Sequence, residues 1–226
     1  MTAVGLRERK KQRTRDALID AALDLFLTRG YEATTVDQIA AEVEVSPRTF
    51  FRYFASKEDV ALSLTADEQR MLLAELAARP ESESPFTALC QAMRSLLQIL
   101  READETEAGR YLRCQKVVHS TPALLAGTMR LVKENERRLV AEVARRLGAD
   151  PCDLQPQFIV AVFVSVALAC FDERTQDPAV LARRLEDLLA LAERSLCPGW
   201  DLPARSEAGR ARLSLSPGLT PRHVLT

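Results

Sequence analysis

Apolar residues recur at intervals of three and four along most of this chain, and alternation at intervals of two is nearly absent. That periodicity belongs to helix faces rather than to half-buried strands. Val and Ile seldom alternate with polar residues, and no Asn-Gly or Asp-Gly turn separates two apolar runs. Ala, Leu, Glu and Arg dominate, so propensity agrees with pattern. The expectation is an all-α protein. Its 226 residues, 47% of them hydrophobic, suffice for one or two domains with real cores.

Start and stop signals cut the chain into about nine helices. The first runs from about Arg9 to Arg29 and ends at Gly30. Thr35 opens the second, with Gln38 placed to complete a capping box. Ser46-Pro47, in N-cap and N1 order, opens a brief third helix ending near Phe54. Ser56, with Asp59 three residues on, caps a fourth that reaches about Ala78. After a polar hinge (RPESES, 79–84), helices follow from Pro85 to Arg101 and from Glu105 to Val118. Thr121-Pro122 starts a long one that Gly148 terminates, and two more span Pro156 to Phe171 and Pro178 to Leu196. Past Pro198 periodicity is lost, which predicts a disordered tail over 198–226.

Composition excludes several functions. The net charge is −1, so any nucleic-acid binding must come from a local patch. Five cysteines, an odd number without CxxC spacing, suggest neither a disulfide framework nor a zinc site. Reduced thiols in a cytoplasmic protein are the simpler reading. The N-terminus is basic from Arg7 and has no apolar stretch of the signal-peptide kind. The longest apolar run, Phe158 to Phe171, is shorter than the roughly 20 residues a membrane span needs. No phosphate-cradling glycine loop, catalytic triad or metal cluster is present, so no enzyme, metal site or cofactor is expected. His119 is the single histidine before the tail and cannot build a metal site alone.

The informative stretch is Thr14 to Leu64. Of twelve aromatic side chains (8 Phe, 3 Tyr, 1 Trp), six fall between Phe26 and Phe54. Phe50 and Phe54, one helical turn apart, suit the core of a small three-helix unit. Arg48, Thr49 and Arg52 project from the other face of that third helix. Two helices joined by a four-residue turn, with a basic outer face on the second, have the layout of a helix-turn-helix. An Arg fork on such a helix can pair with guanine O6 and N7 in the major groove. The leader LRERKKQRTR (6–15), with six basic residues and one acidic, reads as an arm along the DNA backbone or minor groove. Arg13 and Arg15 belong to it. Its basic charge at a helix start would oppose the helix dipole, a conflict that a phosphate relieves.

The segment RDALIDAALDLFLTRGYEATTVDQIAAEVEVSPRTFFRYFASKEDV resembles the N-terminal DNA-binding domain of TetR-family transcriptional repressors. The resemblance rests on A-x-x-L-F-x-x-x-G-Y-x-x-T-T-V, Ile39-Ala40, Val45-Ser46 and F-F-R-Y-F-A-S-K-E-D. It implies a homodimer that binds double-stranded DNA at an inverted repeat and is released by a small-molecule effector. Carried over by position, Arg48, Thr49 and Arg52 would meet base edges or nearby phosphates, next to Ser46. Thr35 and Lys57 would meet phosphates, a role that helix N-termini also suit physically. The turn carries Glu44 where the family commonly has Gly. Phe51 replaces a frequent Tyr and can only pack against sugar or a thymine methyl, leaving Tyr53 to supply the phosphate hydrogen bond. The recognition helices of the dimer should lie about 34–36 Å apart or somewhat further. A protein-interaction module is the competing reading, and it predicts binding insensitive to salt.

The stretch from Glu107 to Gly148 resembles the effector domain of TetR-family regulators of the mycofactocin-system group, which suggests a lipophilic or acyl-thioester ligand. The assignment divides the chain into a DNA-binding domain (1–55), a helical ligand-binding and dimerisation bundle (56–197) and the tail (198–226). Candidate pocket residues are Met93, Leu97, Tyr111, Cys114, Val118, Met129 and Phe163, with ordinary core packing as the alternative for each. Arg110, Arg113 and Arg130 could steer an anionic group. The apolar helix at 156–171 needs more cover than one bundle supplies, so it and the last helix are expected to form a two-fold interface. Val162, Val166, Cys170, Leu185, Leu188 and Leu189 are its candidate residues. No membrane is expected as a partner.

Overall fold

A computed structural model describes residues 3–102, 104–169 and 178–202, and all regular structure among them is α-helix. The helices are α1 (Ala3–Arg29), α2 (Val36–Glu42), α3 (Pro47–Phe50), α4 (Lys57–Ala61), α5 (Ser63–Ala78), α6 (Pro85–Glu102), α7 (Glu105–Ser120), α8 (Pro122–Leu147), α9 (Leu154–Leu168) and α10 (Pro178–Ser195). Ten replace the expected nine because the fourth breaks at Leu62, whose ψ of 3° leaves helical geometry. Ser63 causes or locks the break. Its hydroxyl donates to the Val60 carbonyl at 2.8 Å, occupying an acceptor that a continuous helix would use.

Local signals act as their chemistry dictates. The Thr35 hydroxyl accepts from the Gln38 N–H at 3.3 Å while Gln38 Oε1 accepts from the Thr35 N–H at 2.9 Å, a complete capping box. Ser46 Oγ accepts from the Thr49 N–H, and Ser56 Oγ from the Asp59 N–H. Gly30 and Gly148, at φ of 88° and 63°, end α1 and α8 in left-handed conformations. Thr121 occupies the N-cap position of α8, but its side chain makes no capping bond.

Two apolar cores form. The first joins α1 to α4 around Leu18, Phe26, Ile39, Phe50 and Phe54, and it is completed by Cys114, Val117 and Val118 of α7 and Leu124 of α8. The second fills the far half of the molecule from α5, α6, α8, α9 and α10. Charge also fastens α1 to α7. Arg110 donates to both oxygens of Asp20 at 2.9 and 2.8 Å, and Arg113 bonds Asp20 at 2.6 Å as well as Asp24. Burial alone would raise the Asp20 pKa, but the bonds and charges of Arg110 and Arg113 outweigh it and hold the carboxyl below its ordinary value. The stabilisation is therefore present above the unfolded value of about 4 and is lost as pH falls through the lower folded value. Asp20→Asn is expected to lower the melting temperature at pH 7 and to flatten its decline below about pH 4. Thermal melts by circular dichroism across pH 2.5–7 check this, and an unchanged acid limb would contradict it.

The expected loss of structure after Pro198 does not begin there. Residues 198–202 fold back over the bundle, with Trp200 edge-on to Phe86 and Phe158 at 5.2 and 5.7 Å. Asp201, 2% exposed, accepts from the Phe86 N–H at the start of α6 at 2.8 Å. One large ring and one capping carboxylate order such a turn without any helical period to announce it. Residues 203–226 lie outside the described residues. No helix among the described residues is long and apolar enough to cross a membrane.

Candidate nucleic-acid interface

The third helix is a single turn, too short to be stable alone. Tertiary contacts hold it. Phe50 is fully buried and Phe54 nearly so, with ring centroids 5.6 Å apart. This anchoring turns the opposite face outward. Arg48 and Arg52 are exposed, and Phe51, 57% exposed, stands edge-on to Phe50 at 5.5 Å. The Arg52 guanidinium lies 5.2 Å from the centre of the Tyr53 ring and reaches the Tyr53 oxygen at 3.5 Å. That contact orders the side chain, so less conformational freedom remains to be lost on binding. Thr49 is half-buried, its hydroxyl 3.0 Å from that of Ser46.

The turn before α3 keeps its tight geometry despite lacking glycine. Glu44 takes φ of 54°, the Glu44 N–H donates to the Ala41 carbonyl at 3.0 Å, and the Val45 N–H to the Ala40 carbonyl at 2.9 Å. These two bonds make a Schellman motif with a carboxylic side chain at the left-handed position. An L-residue with a Cβ is strained there. Glu44→Gly is expected to stabilise the protein by about 0.5–1 kcal/mol, net of the flexibility glycine adds to the unfolded chain. Urea denaturation measures it, and a lowered midpoint would refute the strain argument.

The predicted phosphate contacts divide. Thr35 is exposed at the N-terminus of α2. Lys57 is taken up internally: its ammonium donates to the Tyr31, Glu32 and Thr34 carbonyls at 2.9, 3.3 and 3.4 Å and sits 4.4 Å from the Tyr31 ring centre. Its visible role is to tie the loop before Thr35 to α4. Arg15 likewise pairs with Asp67 at 2.8 Å and lies over the Phe54 ring. Arg13 is exposed. Because α1 begins at Ala3 instead of near Arg9, the basic leader falls beyond the first turn, where the helix dipole no longer opposes it. Arg7, Arg9, Lys10, Lys11 and Arg13 form an exposed helical extension of α1.

The candidate pocket residues divide between the two cores and the surface. Cys114 and Val118 belong to the first core, Leu97 and Phe163 to the second, Met93 and Tyr111 are half-buried, and Met129 is half exposed. The three arginines considered for an anionic ligand are also engaged: Arg110 and Arg113 with Asp20 and Asp24, Arg130 with Glu58 of α4. A cleft of about 510 Å³ opens between α4 and α8, flanked by Glu58, Leu62, Gly127 and Arg130. Gly127 was not among the candidates. A Cβ there would come within 2.7 Å of both Glu58 Oε1 and the Leu62 side chain, so its lack of a side chain permits the α4–α8 crossing. An isolated Gly within a helical pattern was the available signal.

The candidate interface residues need a similar correction. Leu185 and Leu189 lie inside the protomer's own second core, and Val162, Val166 and Leu188 are half-buried against it. Cys170 lies outside the described residues. The outward stripe is instead Phe158, Ala161, Ser165 and Leu168 of α9, with Val180 and Leu191 of α10. The apolar run is longer than one face, so sequence alone could not tell its inner side from its outer.

Residues 18–64 match the family model described as bacterial regulatory proteins, tetR family, and residues 83–201 match that of the MftR C-terminal domain. TcmR of Streptomyces glaucescens, an HTH-type transcriptional regulator, is 48% identical over 165 residues, spanning 72% of this chain and 73% of TcmR. MftR of Mycobacterium tuberculosis is 28% identical over 172 residues, spanning 76% of this chain and 85% of its own. The structure of NalD, the secondary repressor of the MexAB-OprM multidrug efflux pump in Pseudomonas aeruginosa, superposes with a TM-score of 0.55 at 18% identity, covering 85% of this chain and 100% of NalD. SmeT, the repressor of the Stenotrophomonas maltophilia efflux pump SmeDEF, gives 0.53 at 18%, covering 82% and 92%. At such identity these two structures share the fold.

Proposed function

This chain belongs to the TetR family of bacterial regulatory proteins, DNA-binding regulators of transcription, and from that premise we propose that it is a homodimeric repressor of a pseudo-palindromic operator, released by a small molecule bound in its helical bundle. The observation that carries the reading is the outer face of α3 and the turn that follows it, on which Arg48, Phe51 and Arg52 stand exposed above the buried Phe50 and Phe54. Two guanidinium forks held one on a short, anchored helix and one on the turn that continues it suit guanine edges in a major groove. Phe51 adds an apolar surface for a thymine methyl, and the leader of α1 adds cations for the backbone.

Dimerisation follows from the outward stripe of α9 and α10. Phe158, Leu168, Val180 and Leu191 are each between 41% and 59% exposed, an apolar line that water covers poorly. A second copy laid against it by two-fold symmetry would bury that line in a four-helix interface and set the spacing of the two α3 helices.

Selection from random duplex DNA by the purified protein tests the reading. The expected result is an enriched inverted repeat, bound with an affinity that falls by orders of magnitude between about 50 and 200 mM salt. No enrichment at low salt from a folded dimer would sink it.

A further inference from the structure

A lysine ammonium carries three N–H donors, so its bonding capacity can be checked against its surroundings. At Lys57 that capacity is used up inside the protein. The Tyr31 carbonyl accepts at 2.9 Å, the Glu32 carbonyl at 3.3 Å and the Thr34 carbonyl at 3.4 Å. The Tyr31 ring closes a further side, with its centre 4.4 Å from the nitrogen, and the Glu32 carboxylate supplies a counter-charge at 3.7 Å. A phosphate oxygen could take a donor from this ammonium only by displacing one of the carbonyls.

The loop that supplies those carbonyls joins α1 to α2, and it is fastened from its other side as well. Thr34 is 1% exposed, and its hydroxyl donates to the Gly30 carbonyl at 2.9 Å. The Thr34 N–H donates to the Tyr31 carbonyl at 3.3 Å, and the Tyr31 ring stands 5.1 Å from that of Phe26 in the first core. Lys57 opens α4, three residues past the buried Phe54. One ammonium therefore ties the segment entering the helix-turn-helix, before Thr35, to the segment leaving it, after Phe54. Its bonds span 23 to 26 residues of chain, so they close the whole helix-turn-helix on itself.

We propose that Lys57 is a positioning residue of the DNA-binding unit: it holds α2 in register with α3 by closing the chain around them, and its charge stays inside the protein instead of on a phosphate. The proposal rests on the DNA-binding reading above and separates Lys57 from Arg48, Arg52 and the leader cations, which are exposed. The consequence is electrostatic. Each cation that neutralises a phosphate releases counterions and adds about 0.9 to the slope of log affinity against log salt. A positioning lysine leaves that slope alone, and its loss still weakens binding.

Two variants of the full chain test this. Lys57→Met keeps an unbranched stem and removes the donors, while Tyr31→Leu removes the ring over the ammonium and changes no charge. Fluorescence anisotropy on the selected duplex and on unrelated duplex, from about 50 to 200 mM salt, gives affinity and slope. Melting temperatures report folding. Lys57→Met is expected to bind the selected duplex about 10- to 100-fold more weakly at unchanged slope. The two losses should be less than additive in the double variant, since each breaks the same contact. A slope lower by about 0.9 for each protomer would make Lys57 a phosphate ligand and overturn the proposal. Undiminished affinity in a folded Lys57→Met variant, or full additivity, would overturn it too. If Lys57→Met does not fold, Tyr31→Leu decides: weaker binding at unchanged slope supports the proposal and wild-type affinity refutes it. A wild-type chain that binds DNA without selecting a sequence would fail the operator reading, and the slopes on unrelated duplex would still decide the role of Lys57.

Discussion

Replacing Arg48 and Arg52 together with alanine is expected to weaken operator binding by roughly 30-fold to four orders of magnitude, about 2–6 kcal/mol for two lost base contacts. The fold should be untouched. Both side chains are exposed, and α3 is held from its other side by Phe50 and Phe54. Binding to unrelated duplex at low salt should survive in part, because the exposed cations of the α1 leader and the N-terminus of α2 remain. The diagnostic pattern is a collapse of the ratio between operator and unrelated DNA, measured by fluorescence anisotropy at fixed salt. Equal losses on both duplexes would mean that the two arginines neutralise phosphates only. The selected sequence would then be read elsewhere, with Phe51 and Thr49 the next residues to change.

The second large effect concerns assembly. Leu168→Glu combined with Leu191→Glu is expected to convert a dimer into a folded monomer. These leucines are 41% and 51% exposed in the protomer, so the substitutions leave its core alone. In the dimer each would bury an unpaired carboxylate, at a cost of several kcal/mol per group, and the two-fold axis doubles the number. Operator affinity should fall with it, because a monomer reaches one half-site and loses the effective concentration that linkage provides for the other. Light scattering gives the mass and melting confirms the fold. A dimer that persists would move the interface off this stripe.

Much of the architecture was legible because its causes are local. A hydroxyl three residues ahead of an amide, a proline in the first turn and a glycine past the last each act within one helical turn. Hence the capping box at Thr35, the start of α3 at Ser46 and the stops at Gly30 and Gly148 lie where the sequence puts them. The inward role of Phe50 and Phe54 was legible for the same reason. The recognition motif over 18–64 added what spacing alone left open.

What remained hidden depends on residues far apart in the chain. Lys57 carries the motif's expected phosphate contact, yet its ammonium is held by carbonyls at 31–34. Arg110 and Arg113 read as free cations until α7 lies against Asp20 and Asp24 of α1. Gly127 looks like a weak point in a helix until Glu58 and Leu62 crowd it. Trp200 and Asp201 follow no period at all, and they order their segment through Phe86.

The amino-acid sequence by itself therefore determined the helices, their ends and the helix-turn-helix, since backbone capping and amphipathic spacing are short-range forces written into neighbouring residues. Only the tertiary structure decided which charges are already paired and which leucines of α10 face inward. Those outcomes follow from packing between helices, and each depends on which distant side chains the fold brings within a few ångströms of one another.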